Sequence, residues 1–252
     1  MYIKPKTEIL PEAQKELWPL LGEMPEYFVL YGGTAVALRY GHRQSVDFDF
    51  FTDRRDFDLV KTCKEIPFIK KYAKTIVRAR ENQIDFILDM AHGSVNISFL
   101  NNDEIISGFL KVPDRCQENE INIASKLDLA ASKILSIHSR TEGKDYIDLA
   151  VLVSGDISLQ QGVEAAVAIA RLSPQGVARL SIPDFLKELG TADITELMFN
   201  ASISISREEA ARYHGILADE AGKVNVERVL NTELKAYKSL SSLKTLGRGA
   251  HL

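Results

Sequence analysis

Cysteine is nearly missing from this chain: only Cys63 and Cys116 occur in 252 residues, far apart in sequence. That scarcity argues against a disulfide framework and against a zinc site, and a reducing cytoplasm is the expected setting. A positive balance is missing too. The net charge is −4, so the chain as a whole is no polycation, and any contact with nucleic acid has to come from a local basic patch. No stretch approaches the roughly 20 apolar residues that a membrane span requires. The opening segment, MYIKPKTEILPEAQKELW, has no apolar h-region and is expected not to be a secretory leader. Internal repeats and low-complexity segments are absent as well. What is present is an ordinary globular balance, 45% apolar and 26% charged. The length allows a substantial core, arranged as one large domain or two smaller ones.

The hydrophobic pattern changes character along the chain. Residues 8–21 read as a helix with Leu10, Leu17 and Leu20 on one side. The run YFVLYGG reads as a buried strand stopped by glycines, and TAVALRYG as a short helix with Thr34 as N-cap and Gly41 as stop. SVDFDFFT is a second strand, and residues 56–73 are expected to be helical. KTIVRAR, QIDFILD and SVNISFL read as three further strands, the last two joined across Ala91-His92-Gly93, before a loop containing Pro113. From Asn122 onward the pattern is helical. The expected class is therefore α+β: a small mixed sheet unit over residues 1–118, then an all-helical unit over 119–252, with the boundary near 115–121.

The informative stretch is YGGTAVALRYGHRQSVDFDFF, Tyr31 to Phe51. Side chains alternate faces along a strand, so Asp47 and Asp49 point the same way, about 7 Å apart at Cα, while Val46, Phe48 and Phe50 point toward a core. Two carboxylates in a partly dry setting repel each other. A hard divalent cation such as magnesium, which takes one or two carboxylates plus substrate phosphates, turns that repulsion into coordination. An edge strand carrying two solvated acids has the same spacing. Gly32 and Gly33 favour the first reading, because they end a strand and open a helix. With no Cβ they let backbone approach a ligand, and a helix N-terminus favours phosphate. Taken alone, a Gly-Gly pair is as well explained by a tight turn.

GGTAVALRYGHRQSVDFDFF resembles the signature of the AbiEii/AbiGii nucleotidyltransferase toxin family, part of the polymerase-beta-like nucleotidyltransferase superfamily, and DLAASKILSIHSRTEGKDYIDLAVL resembles its second block. The resemblance implies a small mixed sheet bearing the metal aspartates and a helical domain closing over the nucleotide. It also implies transfer of a nucleoside monophosphate from an NTP, and the role of toxin in a bacterial toxin–antitoxin or phage-defence module. Carried over by position, Gly32, Gly33 and Thr34 hold the β- and γ-phosphates, and Asp47 and Asp49 bind Mg2+. Arg43 braces Asp47 or meets a phosphate, unless it simply pairs with surface acids. Lys133 contacts the triphosphate. Asp148 acts as general base or positions Lys133, and an ion pair with Lys144 is its plainer reading. Asp145 reads as a first-turn acid of its helix. Lys126, Lys133 and Arg140, seven apart, share one helix side.

One departure stands out. Polymerase-beta-like enzymes usually carry a third carboxylate on a later strand, and here SVNISFL offers Asn96 and Ser98 instead. Asp85 and Asp89 on QIDFILD are the substitutes, or Asp148 fills the gap. The expected partners are an NTP, an RNA or tRNA acceptor and a cognate antitoxin protein, with no membrane. An RNA acceptor is one reading of the basic run Lys61, Lys64, Lys70, Lys71, Lys74, Arg78 and Arg80, and of Lys235, Lys238, Lys244 and Arg248 near the C-terminus; surface charge that keeps the protein in solution explains both at least as well. Two other classes compete. One is a degenerate nucleotidyltransferase fold that binds NTP or a protein without turnover. The other is a small-molecule nucleotidyltransferase of the aminoglycoside type, for which Glu208, Glu209, Asp219 and Glu220 would line an acidic pocket.

Overall fold

Strand formation follows the alternation of polar and apolar residues. In the computed structural model, which describes residues 1–54, 57–101, 110–155, 157–172, 181–191, 193–199 and 205–231, eight strands form one mixed sheet. They are β1 (Tyr2–Ile3), β2 (Val29–Tyr31), β3 (Asp47–Thr52), β4 (Ala73–Arg80), β5 (Gln83–Met90), β6 (Gly93–Asn101), β7 (Asp114–Cys116) and β8 (Asn122–Ile123). Their order is β1-β7-β8-β2-β3-β6-β5-β4. β3 is antiparallel to β2 and parallel to β6, and β5 is antiparallel to both β4 and β6.

The helices are α1 (Glu12–Leu17), α2 (Gly32–Tyr40), α3 (Leu59–Glu65), α4 (Pro67–Tyr72), α5 (Lys126–Ser139), α6 (Gly143–Val153), α7 (Leu159–Leu172), α8 (Ile182–Thr191), α9 (Ile194–Phe199), α10 (Arg207–Lys223) and α11 (Val226–Asn231). The α+β class is as expected. Two expected helices are interrupted by proline. Over 8–21 the regular part is only α1, flanked by 3-10 turns at Thr7–Ile9 and Trp18–Glu23, with Pro11 at its N-cap and Pro19 just past its end. Over 56–73, Ile66 turns extended before Pro67 and separates α3 from α4, as the residue preceding a proline is disposed to do. The three strands β4, β5 and β6 form where expected, as does the turn before Gly93. The helical pattern begins later than Asn122. Residues 122–123 make β8 beside β2, and Ser125 caps α5 by accepting the Asp128 backbone N–H.

One sheet face is the core. Phe48, Phe50, Ile84, Phe86, Leu88, Val95, Ile97 and Phe99 are buried there, and α1, α3 and α4 pack over β5 and β6. Val46 does not join them. Pairing of β3 starts at Asp47, opposite Asn96, so Val46 lies outside the ladder and is 52% exposed. The opposite face carries Asp47, Asp49, Asn96 and Ser98 toward the helical part. There α2 rests on β3 and on α5 and α6, α5 packs on α6 and α7, and α10 packs against α6, α8 and α9. Among the described residues no helix is long and apolar enough to cross a membrane.

Phe99 is fully buried among the rings of Phe28, Phe50 and Phe86, at centroid distances of 5.1, 5.9 and 6.1 Å. Phe99→Ala is therefore expected to cost about 3–5 kcal/mol of unfolding free energy, read as a lower urea midpoint with an unchanged slope. An equal midpoint in wild type and variant would contradict this packing.

Candidate active site

The β2–α2 corner and β3 meet because Tyr31 pairs with Asp49. Gly32, the first residue of α2, has φ +70°, and a Cβ on it would come within 2.5 Å of Asp49 Oδ2. Both facts require glycine: the left-handed backbone and the close carboxylate. A Cβ on Gly33 would overlap the Arg43 guanidinium and approach Asp148 Oδ2 at 3.3 Å. The double glycine thus clears room for an acid on one side and an ion pair on the other. Thr34 is not an N-cap, because the helix starts two residues earlier. It is 1% exposed, its hydroxyl donates to the Asp47 carbonyl oxygen, and it lies 2.8 Å from the Ser45 hydroxyl. Its contact is with the backbone of β3.

Asp47 and Asp49 are both half-buried on the same sheet face. Asp47 accepts a hydrogen bond from Asn96 Nδ2 at 3.1 Å. Burial, and then repulsion from Asp47, push the Asp49 carboxyl up to about 6, while Lys133, Arg140 and Lys144 act in the opposite direction. Asp49 therefore sits where added positive charge is favoured.

Behind the glycines lies a buried ion cluster. Asp148 has no solvent exposure and accepts from Arg43 Nε at 2.7 Å and Arg43 Nη2 at 2.8 Å. Lys133 Nζ lies 2.7 Å from Oδ2, the oxygen that Arg43 Nη2 also reaches, and His42 Nε2 lies 2.8 Å from Oδ1. Lys133 also donates to Asp145 at 2.8 Å, and Arg140 Nε donates to the second oxygen of Asp145 at 3.0 Å. Burial opposes ionisation of Asp148, but Lys133 and Arg43, with hydrogen bonds from His42 and Arg43, hold its carboxyl far below the ordinary carboxylate range. A carboxylate so stabilised is a poor proton acceptor near neutral pH. Its geometry is that of a group positioning Lys133 and Arg43.

The expected site residues thus form two adjoining groups. Gly32, Asp47 and Asp49 face one another. Gly33, Arg43, Lys133 and Asp148 form the second group, linked to the first through the shared glycine corner and the charge of Lys133 on Asp49. Arg43 braces Asp148, not Asp47. Lys144 pairs with Glu142 at 3.0 Å, not with Asp148. His42 and Asp145 were not anticipated as cluster members. For Asp145 a signal existed: three residues before Asp148 on one helix, it faces the same neighbour. His42 has no comparable signal in the sequence.

Neither substitute acid reaches the pair. Asp85 lies beyond Ser98, one strand further from Asp49, where it accepts from Gln83 at 3.0 Å and lies 3.6 Å from Arg78. Asp89 sits opposite Ser94 and 3.5 Å from Lys74. Among the described residues no group of three His, Cys, Asp or Glu side chains is placed to hold a metal ion. The donor set at the glycine corner is two hard carboxylates, which suits one hard divalent cation completed by substrate phosphate oxygens.

Replacing Asp148 with alanine strands Lys133 and Arg43 in the interior, and a loss of about 3–5 kcal/mol is expected in urea unfolding. Asp89→Ala, at a side chain that is 56% exposed, is expected to stay within about 0.5 kcal/mol of wild type. The depressed ionisation of Asp148 fixes the sign of the pH effect. Its contribution is complete above about pH 4, where the unfolded aspartate is ionised, and is lost only as pH falls further, through the depressed folded-state value. The Asp148→Ala deficit should therefore be equal at pH 7 and pH 5.

Known proteins share this chain's sequence pattern and its fold. The model of the nucleotidyl transferase AbiEii toxin family, a type IV toxin–antitoxin system, matches residues 21–219. A protein of Aquifex aeolicus (strain VF5) is 34% identical over 123 residues, or 48% of this chain, and the match spans 55% of that protein's length. A crystal structure from H. pylori, assigned as a nucleotidyltransferase, superposes with a TM-score of 0.52 at 17% identity, covering 84% of this chain and 93% of that one. MenT4, a nucleotidyltransferase toxin of Mycobacterium tuberculosis H37Rv, does so with a TM-score of 0.56 at 12% identity, covering 91% and 89%. At those identities the two structures speak for the fold. The family match, over most of the chain and across both groups of site residues, carries the assignment: this chain belongs to the AbiEii nucleotidyl transferase toxin family.

Proposed function

We propose that the chain transfers a nucleoside monophosphate from a magnesium-bound NTP to a hydroxyl of an RNA acceptor, with pyrophosphate as the leaving group, as the toxin of a toxin–antitoxin module. The observation that carries this reading is the placement of Asp47 and Asp49 on one face of β3 against the Gly32 corner, with Asp49 raised to about 6. When bound, magnesium would neutralise phosphate charge between these two carboxylates. The chain's own residues do the rest. Gly32 and Gly33 leave room for the Asp49 carboxylate and the Arg43 guanidinium to close on the corner. Asp148 fixes Lys133 and Arg43 by buried charge, and Lys133 adds positive potential at Asp49. The helical unit that begins with α5 at Lys126 closes over the nucleotide. Rate then comes from positioning and charge neutralisation more than from proton transfer.

RNA is favoured as acceptor by the sheet's register. Asp49, Ser98, Asp85 and Arg78 are successive partners across β3, β6, β5 and β4, so one face runs from the acids to the basic edge strand. Lys74, Arg78 and Arg80 are exposed on that strand, while the equally exposed Lys61, Lys64, Lys70 and Lys71 sit on α3 and α4 over the opposite, core face. Lys70 pairs with Glu65, and Lys74 and Arg78 lie near Asp89 and Asp85. Lys235, Lys238, Lys244 and Arg248 lie outside the described residues. A second reading, a nucleotide-binding module without turnover, is favoured by Asn96 and Ser98 standing where a third acid is usual.

Incubation with each labelled NTP, magnesium and total RNA, followed by a denaturing gel, separates the two. Labelled RNA is expected from wild type, none with EDTA, and at least a hundredfold less from Asp47→Asn or Asp49→Asn with an unchanged circular dichroism spectrum. Full labelling by Asp49→Asn would sink the proposal, and NTP binding without labelling would favour the second reading. RNA affinity should also fall steeply between 50 and 200 mM salt, on the order of tenfold or more. A flat salt profile would argue for an acceptor other than RNA.

A further inference from the structure

Arg140, at the outer end of the ion cluster, and Lys144 reach solvent. They flank the turn between α5 and α6, with side chains 50% and 42% exposed, and Arg140 is tied to the site through Asp145, Lys133 and Asp148. Asp145, itself held by Lys133, orients the Arg140 guanidinium. Between the two cations sits Glu142, 3.4 Å from Arg140 and 3.0 Å from Lys144. Glu142 occupies the N-cap position of α6, where an acidic side chain ordinarily accepts a backbone N–H, yet it makes no such bond. Its carboxylate is committed to the two cations instead.

We propose that Arg140 and Lys144 are the clamp for the polyphosphate of the substrate, and that Glu142 holds this clamp as an internal anion until the polyphosphate displaces it. The inference rests on the nucleotide reading above and names the residues that grip the leaving group. Lys133, buried and shared between Asp145 and Asp148, sets the orientation of Arg140 and adds long-range potential. The exposed pair makes the contact. Two half-exposed cations beside the first turn of an 11-residue helix suit a highly charged anion better than one carboxylate does. A triphosphate carries enough charge to replace Glu142 at both of them.

The test uses the full chain and magnesium tripolyphosphate, titrated by calorimetry at fixed ionic strength. Lys144→Ala is expected to weaken binding about tenfold, and Arg140→Ala at least as much, as loss of a charge-assisted contact does. Glu142→Gln should tighten binding about threefold, the scale of two released surface ion pairs, without lowering the melting temperature. A merely structural Glu142 would give the opposite pattern, with lower melting temperature and unchanged affinity. If Arg140→Ala unfolds because Asp145 loses a partner, Lys144→Ala and Glu142→Gln decide the matter. Unchanged binding in Lys144→Ala, or no tightening in Glu142→Gln, overturns the clamp. The transferase reading fails separately, when wild type releases no pyrophosphate from any NTP in the presence of RNA.

Discussion

The buried carboxylate of Asp148 is the constraint on which the rest of the site depends. It comes from α6, yet its partners lie on other parts of the chain: His42 and Arg43 in the loop before β3, and Lys133 on α5. Three segments are thereby fixed about one ionised group. Such an arrangement contributes little net stability over an apolar core, since desolvation consumes most of the attraction. What it supplies is position. Gly33 has no side chain in the space the Arg43 guanidinium takes up, and Lys133 is held where its charge is felt at Asp49.

From Asp148 outward the charges alternate: Arg43, Asp148, Lys133, Asp145 and Arg140 form one chain, from the loop before β3 to the surface at the end of α5. Facing it are two acids, Asp47 and Asp49, of which Asp49 resists ionising because of burial and, next, because Asp47 lies beside it. The site is therefore divided into a cation-seeking side on the sheet and an anion-seeking side on the helices. A metal-bound polyphosphate carries both signs of charge and matches that division. Neither half alone would be distinctive, since acids on a strand and lysines on a helix are common surface features.

Much of this was legible in the sequence, for reasons tied to particular residues. The alternation in SVDFDFF sets the faces of Asp47 and Asp49 in any extended conformation, and the glycines announce a corner. Its apolar neighbours, alanine and isoleucine, mark Lys133 apart from Lys126 at the start of α5 and Arg140 at its C-cap: of the three, only Lys133 is buried. Long-range partnership was not legible. Arg43 and Asp148 are far apart in the chain, and nothing local distinguishes a buried bidentate pair from two solvated charges. Thr34 misled because a hydroxyl near a helix start usually caps it. Here Gly32 permits the helix to begin earlier, and the hydroxyl turns to the backbone of β3. Val46 misled because alternation does not reveal where strand pairing begins.

The edge strand β4 has a consequence of its own. It closes the order of strands, all eight of its residues are exposed, and Ile76 and Val77 add apolar surface to its open side. An uncovered edge of that kind invites another copy to pair with it and extend the sheet. Lys74, Arg78 and Arg80 on the same strand set like charge against like charge in any such pairing. Solubility of the folded protein then rests partly on electrostatic repulsion between copies. That protection shrinks as ionic strength rises and the screening length falls to a few ångströms.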